Sequence, residues 1–321
     1  MSCPRLPALL LAAVVCLAAA GCGGSSSGSP SSSTRARARS TAHTAAAGAA
    51  AARPHPEGPA HPRLLPSATA TGNTPFVPAM TVRGQPVAWV ARQSGLALLS
   101  FSQRGTVLHL HSGTVDAGPV GWRWGPDISS GERRVAIAGF NGGFKLDVGA
   151  GGFASHGRVA SPLRSGLGSI VTYSDGYTDI GTWGSEVPAH GRHVVTVRQN
   201  LALLIDHGRA AGNVDCASCW GATLGGVTDP ARSALGITAD GHLIWAGGEH
   251  LTVSALASTL LAAKVVRAVE LDINPEWVAA YLYAHHGSHG LAPVQVVPGQ
   301  PGIPGQLLTP YARDFFVVVA R

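Results

Sequence analysis

The sequence predicts an α+β fold: a single β-rich mixed domain with few helices over residues 74–321, preceded by a signal segment and a linker without fixed structure. Three observations predict it. Short β-rich runs separated by Gly, Asp and Asn recur from about residue 86 onward. One stretch, beginning at Thr252, shows helical spacing of its apolar residues. The composition also changes sharply near residue 74, from Ser, Gly, Ala and Pro to a mixture able to build a core.

Taken in order, residues 1–22 have the build of an export signal. Arg5 supplies the basic start, residues 9–20 form an apolar run too short for a comfortable membrane span, and small residues follow. The end, Leu17-Ala18-Ala19-Ala20-Gly21-Cys22, resembles a bacterial lipoprotein signal, in which Cys22 is lipidated and becomes the new N-terminus. Ala19 departs from that pattern, and secretion with cleavage near Ala20 is the competing expectation. Both place the protein outside the cytoplasm, anchored to the membrane in the first case.

Residues 23–73 lack apolar periodicity, so nothing in them offsets the entropy of ordering the chain, and a flexible tether is expected. This stretch also distorts the overall charge of +6. Six arginines and one glutamate precede residue 74, leaving 17 basic and 16 acidic residues beyond it. A nearly neutral domain gives no support to nucleic-acid binding.

Two cysteines remain once Cys3, Cys16 and Cys22 are assigned to the signal: Cys216 and Cys219. In an exported chain an even pair implies a disulfide, here one closing a small loop. Thiol exchange is the alternative for a Cys-Ala-Ser-Cys sequence, and a zinc site would need more ligands of suitable spacing.

Strands are expected at residues 86–90, 97–101, 106–111, 134–138, 169–173, 193–197, 201–205, 233–238, 242–246 and 315–320. Asp175-Gly176 and Asp240-Gly241 are hairpin signals. Thr252 or Ser254 can cap a helix running to about Lys264, with Val253, Leu256, Leu260 and Leu261 on one side. Residues 287–310 read as a Gly/Pro loop, and His285, His286 and His289, beside Gly287 and Gly290, are expected to be solvated.

The chemistry is expected around residues 264–283. Alternation along a strand at 265–273 puts Val265, Val269, Leu271 and Ile273 on one face and Glu270 and Asp272 on the other. Two acids delivered to a strand end, followed by Asn274-Pro275-Glu276-Trp277, suit a site. Equally, Glu270 can pair with a neighbouring Arg and Asp272 can cap the turn. Upstream, Asn141-Gly142-Gly143 can aim an amide and let a backbone approach closely, or simply form a tight turn. Arg232 opens a strand and can hold a phosphate or pair with an acid.

Together these pieces resemble a known family. Asn141-Gly142-Gly143-Phe144, the run Gln199-Asn200-Leu201-Ala202-Leu203-Leu204-Ile205-Asp206-His207-Gly208, Arg232-Ser233-Ala234-Leu235-Gly236, Asp240-Gly241-His242-Leu243, the helix and Glu270-Leu271-Asp272 occur in the order and spacing of the phosphodiester glycosidase domain. The resemblance covers about residues 134–283. It implies hydrolysis of a sugar phosphodiester or related glycosidic linkage in envelope glycans. Arg232 would hold the phosphate and Asn141 would orient sugar or phosphate beside Gly142 and Gly143. Asp272 would act as acid/base or nucleophile, with Glu270 and Glu276 as reserve acids and Asn274 and Trp277 lining the site. No cofactor is implied, although Asp272, Asn274 and Glu276 offer oxygens suited to Ca²⁺ or Mg²⁺. The chain departs from the family at Asp272-Ile273-Asn274-Pro275-Glu276, where the family has Asp-Gly-Gly-Gly-Ser. Pro275 has no N–H and Ile273 disfavours a glycine-type turn, which weakens the anion cradle. A non-catalytic module binding an envelope glycan or protein, with Trp277, Tyr281 and Tyr283 as stacking surfaces, is therefore the alternative.

Overall fold

A computed structural model describes residues 61–69, 71–93, 95–223, 226–287, 290–297, 299–300 and 302–321. The expected signal at 1–22, Cys22, the first part of the tether and His289 lie outside the described residues.

Among the described residues three sheets make up the fold, and every strand pairing within them is antiparallel. The largest has nine strands and runs from Arg63–Leu64 through Thr74–Val82, Gln85–Gln93 and Leu96–Ser102 to His242–Gly248. It continues through Arg232–Thr238, Val265–Glu270, Leu203–Asp206 and Arg209–Ala210. A five-stranded sheet orders Leu291–Gln295, Ala280–His285, Ala136–Asn141, Phe315–Ala320 and Thr106–His111. A second five-stranded sheet orders Thr178–Thr182, Gly168–Tyr173, Val194–Gln199, Phe153–Ser155 and Arg158–Ser161.

The expected α+β class is overturned. Among the described residues α-helix is confined to Ser130–Arg133 and Val253–Ala262. The physical reason is that a second layer is not supplied by helices. The nine-stranded sheet buries Phe101, Leu235, Trp245 and Val269 in one cluster with Phe140, Leu282, Phe316 and Val318 from the facing sheet. Two apolar sheet faces closing on each other make a sandwich core without helical cover.

The longer of the two helices among the described residues, Val253–Ala262, covers the other face. The Thr252 side chain accepts from the Ala255 N–H at 3.1 Å, and Val253, Leu256, Ala257 and Leu260 are buried. They pack with Leu98, Ile244, Val265 and Ala268. Val265 therefore lies opposite Val269 and Leu271, not beside them as strict alternation requires. A register shift against Ile237 and Thr238 inserts a residue and flips the facing at that point. The strand also stops at Glu270, short of the expected Ile273.

Order begins before residue 74. Leu64 and Arg63 pair with Met80 and Thr81, and Ala68 is buried in the main core. A short edge strand held by backbone bonds leaves no side-chain periodicity to read, so this end of the expected tether was invisible as structure. The strands Thr74–Val82, Ala280–His285 and Leu291–Gln295 likewise lie outside the expected set, the last inside the expected Gly/Pro loop. The hairpin signals at Asp175-Gly176 and Asp240-Gly241 do join antiparallel neighbours. Cys216 and Cys219 form a disulfide.

Candidate functional site: the strand crossing at Asp272

The chain leaves the nine-stranded sheet at Glu270 and enters the facing sheet at Ala280. Residues 271–279 cross between them. Crossing from one sheet to another strips backbone groups of ladder partners, and buried groups of this kind must find others. Most of the singled-out polar residues serve that need. Asn141 Nδ2 donates to Ser233 Oγ at 2.9 Å, and Ser233 Oγ donates to the Asp272 carbonyl at 3.0 Å. The Asp272 N–H donates to the Gly142 carbonyl at 3.1 Å and the Leu271 N–H to the Ser233 carbonyl at 2.8 Å. Asn200 Nδ2 donates to the Glu270 carbonyl at 2.6 Å while its Oδ1 accepts from the Phe144 N–H at 3.2 Å.

Four carboxyl groups and three guanidiniums are buried around this crossing. Arg232 Nη1 meets Glu270 Oε1 at 2.7 Å, and the same guanidinium donates to the carbonyls of Trp220 and Leu251. Arg198 forks onto Asp314, with Nε at 2.8 Å and Nη2 at 3.1 Å from its two oxygens. Arg313 reaches Asp272 Oδ2 at 3.0 Å and also pairs with Asp116. Asp272 Oδ1 accepts from the N–H groups of Ile273 and Asn274 at 2.8 and 2.9 Å.

With one more acid than base, the cluster should not carry all four negative charges. Glu270 is the group that gives way: burial pushes its carboxyl up to about 8, with the Arg232 charge and hydrogen bond opposing and Asp272 adding to the rise. Its Oε2 is buried without a hydrogen-bond partner. Burial also raises Asp272, opposed by Arg313 and the two N–H donors. The arrangement therefore places two buried acids two residues apart, both raised by burial, with three donors opposing the rise at Asp272 and Arg232 opposing it at Glu270.

Gly142 and Gly143 are demanded by sterics. A Cβ on Gly142 would sit 2.1 Å from Asp314 Oδ2, and one on Gly143 would sit 2.9 Å from the Arg198 guanidinium carbon. The close approach expected at this pair is made by the protein's own ion pair.

Other predicted residues sit at the rim. Asn274 is half-buried, and its Oδ1 accepts from the Glu276 N–H at 2.9 Å. Asp272 Oδ1 and Asn274 Oδ1 thus already serve the turn, the capping role the sequence left open for Asp272. Glu276 is exposed. Trp277 is half-buried, with the Arg313 guanidinium 5.3 Å from its ring centre and Tyr311 edge-on at 6.1 Å. Tyr281 and Tyr283 are buried in a separate cluster with Phe315 and Val317.

Arg198, Asp116, Arg313 and Asp314 escaped sequence reasoning. Arg313-Asp314 immediately before the apolar run at 315–320 was the available signal, since charges placed against a buried strand demand partners. Asp116 sits in a loop and carried no signal.

No protein-family model matches the chain, and no curated protein matches it. Among solved structures, the chain is similar to the catalytic domain of zebrafish N-acetylglucosamine-1-phosphodiester alpha-N-acetylglucosaminidase, auto-inhibited by its pro-peptide, at 15% identity and a TM-score of 0.45, over 77% of this chain and 81% of that one. A hypothetical protein from Synechocystis is similar at 14% identity and a TM-score of 0.42, over 75% of this chain and 65% of that one. A candidate exported protein from Burkholderia pseudomallei K96243 is similar at 12% identity and a TM-score of 0.35, over 75% and 77%. Likeness at this level does not establish the family, and the chemistry of the crossing rests on its own geometry.

Proposed function

We propose that the protein is an exported hydrolase of a sugar phosphodiester or related glycosidic linkage in envelope glycans, with Asp272 as its working carboxylate. The observation that carries this is two buried acids two residues apart with unequal partners: Glu270, pushed up to about 8 with one oxygen unpartnered, and Asp272, whose oxygens take Arg313 and two backbone N–H groups. Cleavage of glycosidic bonds uses an acid and a carboxylate whose environments separate their protonation. Asp272, buried in the crossing, acts as base or nucleophile. Glu270, fully buried, stays protonated below about pH 8, and the exposed Glu276 is the acid able to reach a leaving group. Trp277 and Tyr311 offer a ring surface for a sugar. Export and anchoring through Cys22 belong to the same proposal; Cys22→Ala should move the protein from the membrane fraction to the soluble one.

A second reading has its own support. The Arg232 guanidinium is buried against Glu270, and the N–H groups of Ile273 and Asn274 point at Asp272. Donors that would cradle a phosphate are thus turned inward, which favours a module that binds a glycan through its rim.

The test is release of sugar by the purified full-length chain from an N-acetylglucosamine phosphodiester and a chromogenic glycoside panel. Turnover lost in Asp272→Asn, with near-ultraviolet circular dichroism retained, supports the hydrolase. Unchanged turnover in that variant rejects Asp272. A folded chain with no turnover, but with saturable glycan binding weakened in Trp277→Ala, selects the binding module.

A further inference from the structure

The strand Thr106–His111 puts His109 and His111 two residues apart and so on one face. The short helix Ser130–Arg133 brings Glu132 to that face. A capping box locks it there, with the Ser129 hydroxyl donating to Glu132 Oε2 at 2.8 Å. That leaves Oε1, and two imidazoles converge on it: His109 Nδ1 at 2.9 Å and His111 Nε2 at 3.1 Å. The three atoms lie within 4.8 Å of one another.

His111 is fully buried, and its Nδ1 lies 2.9 Å from the Gly125 carbonyl oxygen. A carbonyl only accepts, so Nδ1 carries the hydrogen. In a neutral ring the Nε2 lone pair then faces a carboxylate oxygen at 3.1 Å. Two lone pairs face each other at that distance only with something positive between them: a proton, which makes a buried imidazolium, or a metal ion. An Nδ1–H bond to a backbone carbonyl is the outer contact that fixes a metal-binding histidine in its tautomer. Two imidazole nitrogens and one carboxylate oxygen form a zinc donor set with a position left open. Ligands about 2.0–2.1 Å from a tetrahedral ion stand roughly 3.3 Å apart, so the 2.9 and 3.1 Å contacts need to widen by only a few tenths of an ångström. His109, stacked on Trp124 at 3.9 Å and the most exposed of the three, marks the entry side.

We propose that His109 Nδ1, His111 Nε2 and Glu132 Oε1 bind one first-row transition-metal dication, with Zn²⁺ the best fit to the donors. The site is separate from the Asp272 crossing and does not depend on what that crossing does. A second cluster, Glu186, Asp206 and His207, is more exposed and serves as the internal control.

The experiment uses the full-length chain made without a polyhistidine tag, stripped with a chelator and titrated by calorimetry with Zn²⁺ and with Mg²⁺. Co²⁺ is followed by visible absorption. One equivalent of Zn²⁺ per chain, a Co²⁺ spectrum of tetrahedral type, no Mg²⁺ uptake and a rise in Tm with Zn²⁺ are expected. His109→Asn, the least buried change, should lose the equivalent while keeping its circular dichroism, and His207→Ala should retain it. The proposal is overturned by a folded wild-type chain that takes up no Zn²⁺, or by an equivalent that survives His109→Asn and disappears in His207→Ala.

Discussion

At the Asp272 crossing four buried carboxyl groups are matched to arginines, whereas at Glu132 one carboxylate oxygen faces two imidazoles. The difference lies in whether the cation can change. A guanidinium keeps its proton at any accessible pH, so the crossing is a set of fixed pairs in which only an acid can respond. An imidazole can give up its proton, and the freed lone pair can then bind a metal. Buried ionic groups thus serve two ends in this molecule: the first set ties two sheets together, and the second is free to take a ligand.

The comparison can be broken most forcefully at Arg232. Arg232→Ala removes the cation from a fully buried Glu270 and should cost about 3–5 kcal/mol above about pH 8, where Glu270 is charged, and less below it, read from urea denaturation midpoints. Adding Glu270→Gln to that variant should recover part of the loss; strictly additive losses would mean that the pair is not coupled. Gly142→Ala forces a methyl against Asp314 Oδ2 and should cost about 1–3 kcal/mol by the same measurement.

A pH profile sharpens the picture. Glu270 rises from 4.5 to about 8 on folding, so between those values the native state holds more protons than the unfolded one. The contribution is fully present below about pH 4.5 and is lost as pH rises through about 8. The Glu270→Gln variant should show a shallower fall over that window, and an unaltered slope would reject the protonated acid. The smallest effect is expected at Glu276: Glu276→Gln should change stability by less than about 0.5 kcal/mol, because the side chain is exposed. If the hydrolase reading holds, the same change should still lower turnover.

The Asn141, Gly142, Gly143, Arg232, Glu270 and Asp272 set was legible as residues that converge, but not as residues that hold one another. Alternation at 265–273 brought Glu270 and Asp272 forward, and the register shift that turns Val265 to the helix side could not be read from it. Ala280–His285 went unread because four of its six residues are buried, so polar and apolar positions do not alternate. His109 and His111 stood in plain alternation, yet Glu132, which gives them meaning, arrives from a separate helix.

The sequence by itself determined the features set by near neighbours. These are the strands at 106–111 and 315–320, the two Asp-Gly hairpins, the Thr252 cap and the Cys216–Cys219 loop. Each depends on spacing within a few residues, where side-chain period and turn chemistry act directly. Only the tertiary structure decided that sheets and not helices supply the second layer, and that Arg313 meets Asp272 and Arg198 meets Asp314. Those meetings depend on sheet register and on the desolvation of groups far apart in the chain, which no local pattern encodes.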